Sequence, residues 1–88
     1  MSREVTWGRR ALREIQIIAS RDAQTADRIG AAVAAYAERD FGDVRKMAGG
    51  SGVYRLRVGD WRVLFVFDDG GRVMAISRVL NRRDAYRG

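Results

Sequence analysis

The sequence predicts an α+β fold in which a small antiparallel β-sheet packs on one α-helical hairpin, and three patterns carry that prediction. Residues 53–67, VYRLRVGDWRVLFVF, alternate apolar and polar positions around Gly59-Asp60. Glycine followed by aspartate between alternating segments marks a two-residue hairpin turn, because primed turns need a positive φ that glycine adopts without steric cost. Residues 9–19 and 23–40 space their apolar side chains three and four apart, the signature of one helical face. Asp68-Asp69-Gly70-Gly71 then opens onto another alternating run, residues 72–80, which extends the hairpin into a three-strand meander.

Taken in order, residues 3–7 form a short N-terminal strand with Val5 and Trp7 on one side, and Gly8 suits the N-cap of the first helix. Ala11, Leu12, Ile15, Ile18 and Ala19 make that helix's apolar stripe. Ser20-Arg21-Asp22 breaks the pattern and caps a second helix, whose Ala26, Ile29, Val33, Tyr36 and Ala37 share a face and whose C-terminal end suits Gly42. So short a link makes the two helices antiparallel. Residues 41–52 read as irregular, and Gly49-Gly50-Ser51-Gly52 as a flexible loop, since no helix or Lys-Ser/Thr pair follows to make a phosphate cradle. In the meander, the Gly59-Asp60 turn sets Val58 opposite Trp61, Arg57 opposite Arg62, Leu56 opposite Val63, Arg55 opposite Leu64 and Tyr54 opposite Phe65. One face then carries Tyr54, Leu56, Val58, Trp61, Val63, Phe65 and Phe67, and the helical hairpin must cover it. The other carries Arg55, Arg57 and Arg62 and stays open, as an antiparallel sheet permits. Pairing Phe67 with Arg72 puts Met74 and Ile76 in the core and Ser77 opposite Arg62. Residues 81–88 are too short for more than one helical turn.

At 88 residues without an internal repeat, one domain over residues 1–88 is expected. The chain has no Cys and no His. Disulfides, thiolate metal sites and the Ser-His and Cys-His nucleophile pairs are thereby excluded, no metal or cofactor is expected, and a cytoplasmic setting fits. Asp68-Asp69 belongs to turn chemistry rather than to a metal shell. The N-terminus has no signal-peptide pattern, and the longest apolar run, residues 29–37, is too short to span a bilayer, so no membrane partner is expected.

Charge is distributed unevenly. Residues 1–44 hold seven Arg against seven Asp or Glu, whereas residues 45–88 hold nine Arg and Lys46 against four Asp, so the whole net charge of +6 lies in the second half. That asymmetry points to a polyanionic partner, nucleic acid first and an acidic protein segment second, with a basic surface kept for solubility as the plain alternative. All but one of the 17 basic residues are Arg, whose planar fork grips phosphate in two places.

In YRLRVGDWRVLF (54–65), VLNRRDAYR (79–87) and, more weakly, VRKMAG (44–49), the chain resembles the RelE/ParE superfamily of type II toxin–antitoxin toxins, in its RelE-like branch. The resemblance covers nearly the whole chain in element order. It implies the fold read above, a cognate antitoxin as partner in a hetero-oligomer, and a toxin acting on translation. RelE-like members cut mRNA in the ribosomal A site through basic residues of the open sheet face and a C-terminal Arg and Tyr; ParE-like members poison DNA gyrase. By resemblance, Arg57, Arg62, Arg82 and Tyr86 are the catalytic candidates, with Arg55, Arg45, Lys46 and Arg83 as RNA contacts. Arg62, central on the face, is expected to stabilise phosphorane charge with Arg57 and Arg82 beside it, and Tyr86 to stack on a base or act as the general base. Arg stands where relatives often carry Lys, and Asn81 where they often carry His. A guanidinium keeps its proton in a protein, so the base is the open question. Gyrase inhibition and a non-catalytic basic RNA- or protein-binding module are the alternatives.

Overall fold

The computed structural model describes residues 2–85. Gly8 stays extended at φ −60°, ψ 157°, and its carbonyl accepts from the Leu12 N–H at 2.9 Å, so strand β1 (Glu4–Trp7) passes into helix α1 (Arg9–Arg21) at the expected cap. Asp22 serves two helices. Its N–H closes α1 on the Ile18 carbonyl, and its carboxylate opens α2 (Ala23–Arg39) by accepting from the Thr25 N–H at 3.1 Å and the Thr25 hydroxyl at 2.6 Å. The hydroxyl bond, followed by the backbone bond, holds the Asp22 carboxyl below its ordinary 3.8.

A group with a depressed folded-state pKa contributes stability in full above its unfolded value and loses it as pH falls through the folded one. Asp22→Asn keeps a capping oxygen but cannot titrate. Acidification from about pH 5 to 2 should therefore destabilise the Asn variant less than the wild type. Parallel losses in thermal unfolding across that range would disprove the assignment.

The helix α2 ends at Asp40, in the left-handed region at φ 55°, rather than at Gly42. Gly42 serves packing instead, since a Cβ there would lie 3.0 Å from Leu56 Cδ1. The next strand, β2 (Asp43–Lys46), lies within the stretch read as irregular. It has only Val44 as an apolar signal, and short charged strands are typical of sheet edges. It pairs antiparallel with β3 (Tyr54–Val58), which pairs with β4 (Trp61–Asp68) in the predicted register, Arg57 opposite Arg62.

A 3₁₀ turn over Asp69–Gly71 leads to β5 (Val73–Asn81). Here the register departs from expectation, with Phe67 opposite Met74 and Arg62 opposite Leu80, not Ser77. A shift between Leu64 and Phe65 accounts for part of it, because Ser77 is passed over as an extra residue between the pairs Phe65–Ile76 and Leu64–Arg78. The strand runs into a one-turn helix, α3 (Arg82–Ala85).

The sheet order is β1-β5-β4-β3-β2, and β1 runs parallel to β5, so the five-strand sheet is mixed rather than wholly antiparallel. Both helices pack on one face. Ile29 and Val33 of α2 and Ala11 and Ile18 of α1 meet Leu56, Val63, Phe65, Met74, Ile76 and Val79, all buried, with Trp7 and Trp61 packed at the margin. Tyr36, Tyr54, Phe65 and Phe67 form an aromatic cluster with ring centroids 4.9–6.5 Å apart. Arg3 closes its end, lying 4.9 Å over Phe67 and paired with Asp40. Among the described residues, no helix is long and apolar enough to cross a membrane.

Candidate nucleic-acid interface

Positive φ at Gly59 (+60°) makes the β3–β4 turn, and the pairing on either side of it puts Arg57 and Arg62 side by side on the uncovered face. Adjacent guanidinium groups repel, and the two side chains answer that differently. Arg57 is exposed. Arg62 is only 4% exposed, with Nη1 donating to the carbonyls of Gly59 and Trp61 at 3.0 Å each. Its Nε has no hydrogen-bond partner among the described residues. Arg62 therefore braces the turn from within the sheet instead of presenting its charge to solvent. Arg55, half-buried, follows on the same face, with Arg45 opposite it across β2–β3. Arg45 is exposed and leans toward Asp43 at 3.8 Å. Lys46 pairs with Tyr54, and that register puts it at the edge of the helix-covered side, apart from the arginines.

Arg82 and Arg83 come to the same turn from the other direction. The Arg82 N–H donates to the Asp60 carbonyl at 2.6 Å, and the Arg83 N–H to Asn81 Oδ1 at 3.3 Å. Both side chains are exposed, and with Asp60 and Asn81 they line a cleft of about 780 Å³. Tyr86 lies outside the described residues. On the opposite flank of the turn, Arg57 shares a cleft of about 420 Å³ with Thr25, Arg28, Trp61 and Asp60. Arg28 belongs to a helix whose charges balance, so no sequence signal singled it out.

The β5 irregularity has a ligand of its own. Glu14 of α1 accepts from the Val79 N–H at 2.8 Å and from Arg78 Nε and Nη2 at 3.1 and 2.9 Å. This carboxylate anchors the shifted strand just before α3. Beside it, Ile17, Ile18, Trp61, Val79 and Leu80 line a largely apolar groove of about 460 Å³.

The arrangement is one of fixed cations around a turn, suited to holding phosphate. A general base is harder to find. Tyr36 packs in the aromatic cluster on the helix-covered side, and burial pushes its phenol above the ordinary 10.0.

The sequence model for the ParE toxin of type II toxin–antitoxin systems (parDE) matches residues 5–86. The chain belongs to that toxin family. Solved structures share the fold of this ParE-family chain at low identity. The YoeB/ParE toxin from Agrobacterium tumefaciens aligns with a TM-score of 0.76 at 13% identity, over 89% of this chain and 96% of that one. A chain of the archaeal RelE–RelB complex from Pyrococcus horikoshii aligns at 0.73 and 21% identity, with 100% of both chains covered. A chain of the RelBE2 toxin–antitoxin complex from Mycobacterium tuberculosis aligns at 0.63 and 25% identity, over 93% of this chain and 100% of that one. Comparison with curated proteins gave no match.

Proposed function

We propose that this toxin is a ribosome-dependent mRNA endonuclease, neutralised by a cognate antitoxin. The observation that carries the reading is the convergence of Arg57, Arg82 and Arg83, all exposed, on the β3–β4 turn. Solved RelE and YoeB toxins share the fold at low identity, with which that reading is compatible.

Cleavage would proceed by attack of a 2′-oxygen on the adjacent phosphorus, with its proton lost to a base or solvent. The P–O5′ bond breaks, and the 5′-oxygen takes up a proton. The products are a 2′,3′-cyclic phosphate and a 5′-hydroxyl. Arg57 and Arg82 would hold the charge that grows on the phosphorane, while Arg55, Arg45 and Arg83 hold the flanking backbone and Lys46, on the other side of the sheet, does not take part. Arg62, braced against Gly59 and Trp61, fixes the turn on which the others depend. Tyr86 enters on chemistry alone, as a ring to stack on the base beside the scissile phosphate. Without a strong base, the acceleration rests on charge stabilisation and in-line positioning, the latter supplied in part by the ribosome. The antitoxin, in this reading, is acidic and apolar and covers the arginine face. RelE and YoeB relatives have been solved as complexes with RelB and YefM.

Gyrase inhibition is the second reading, kept because the matching family is that of the ParE toxin. Purified toxin in a translation extract with a defined message, run beside a gyrase supercoiling assay, separates the two. Cuts within ribosome-bound message, with supercoiling intact, are expected. Uncut message with blocked supercoiling would replace the endonuclease by the gyrase inhibitor.

A further inference from the structure

We propose that the β3–β4 turn is a saddle for a single RNA strand, held at successive phosphates by Arg28 and Arg57 on one flank and by Arg82 and Arg83 on the other, with Asp60 at its crest weakening the grip. This rests on the reading that the arginine face binds RNA, and it adds two residues, Arg28 and Asp60.

Arg28 projects from α2, on the covered side of the sheet, yet it reaches the turn. A Cβ built on Gly59 would lie 3.5 Å from its Nη2. It shares the 420 Å³ cleft with Arg57, and both side chains are exposed. Among the described residues neither forms a salt bridge: Asp43, opposite Arg57 in register, leans toward Arg45, and Arg28 feels the Asp22 carboxylate only through space, as the weakest of the influences that lower that carboxylate's pKa. Two guanidinium groups thus line one cleft with Asp60, and no salt bridge joins either of them to a carboxylate. Bringing like charges together is unfavourable for folding and favours an anion between them.

The two clefts have Asp60 in common. Its carbonyl is tied to the Arg82 N–H at 2.6 Å, so the flanks keep a fixed separation while the exposed carboxylate stands between them. A negative group there repels a phosphate chain crossing the turn and limits how tightly it is held.

The test is anisotropy of a labelled oligouridylate against salt, from about 50 to 200 mM, with the full-length toxin and surface variants whose folding is checked by thermal unfolding. Each phosphate contact on single-stranded nucleic acid contributes about 0.7 to the slope of log K against log salt. Arg28→Gln should flatten the slope by about 0.7, as Arg57→Gln does. Asp60→Asn should tighten binding about two- to fivefold at the low-salt end, the scale of one exposed charge interaction. If Arg57→Gln flattens the slope and Arg28→Gln does not, the saddle is wrong while the RNA reading stands. Unchanged or weaker binding by folded Asp60→Asn removes the crest role. Wild type that binds no RNA, or whose RNA is displaced equally well by oligoglutamate, overturns the RNA reading itself and the saddle with it.

Discussion

Arg82→Ala should slow cleavage of ribosome-bound message by about 10²–10³-fold, the loss typical of removing one donor to a developing oxyanion. Its unfolding midpoint should stay where it is. The Arg82 side chain is exposed, and the bond that fixes the start of α3 comes from the backbone N–H to the Asp60 carbonyl, which alanine keeps. Exposed substitutions away from caps and cores usually change stability by less than about 0.5 kcal/mol. Arg82→Lys should fall between, because it restores the charge but not the two-point fork. Single-turnover cleavage beside a thermal melt reads both quantities. A folded Arg82→Ala toxin cutting at the wild-type rate would remove Arg82 from the chemistry.

Glu14→Ala should destabilise the fold by about 3 kcal/mol. Two effects add. The Val79 N–H loses its acceptor, and the Arg78 guanidinium, 29% exposed, loses the carboxylate that holds it. Hydrogen bonds to charged groups are worth about 1.5–3 kcal/mol, and an orphaned buried donor costs about 1–3. At about 4–8 °C per kcal/mol for a domain of this size, the midpoint should fall by about 12–24 °C. Glu14→Gln keeps an acceptor for Val79 and should lose about half as much. A Glu14→Ala melt within about 2 °C of wild type would show that the strand irregularity holds itself in place.

Alternation and turn chemistry carried the first hairpin from sequence to structure without change. Gly59-Asp60 permits few turns, and one slip would have exposed Phe65 and Val63. The second hairpin was less legible. Its loop admits more than one geometry, and the partner that selects the observed one, Glu14, lies 65 positions from Val79. The β2 strand gave no signal because edge pairing needs backbone groups more than side chains. The alternation that put Arg62 beside Arg57 was right, but it says only which face a side chain leaves from. Whether a guanidinium then reaches solvent or folds back onto the carbonyls of its own turn is decided by local hydrogen bonding. Arg28 was invisible for a related reason. Only the packing of α2 over the end of the sheet brings it to the turn.

The parallel pairing of β1 with β5 has a consequence for how the molecule is made. Arg3 reaches the Gly71 carbonyl across 68 positions of chain, and Glu4 to Trp7 pair with Val73 to Ile76. Contacts this distant in sequence close late, because the entropy of a long loop is lost before any contact compensates it. During synthesis the first strand therefore waits, unpaired, until β5 has left the ribosome. Arg82 and Arg83 follow β5 in the chain and join the turn only after it. Between the first hairpin and the last strand, Arg57 is already placed by the turn while the cations of its other flank are still to come. Translation itself sets the interval between forming the turn and completing the cluster of cations around it.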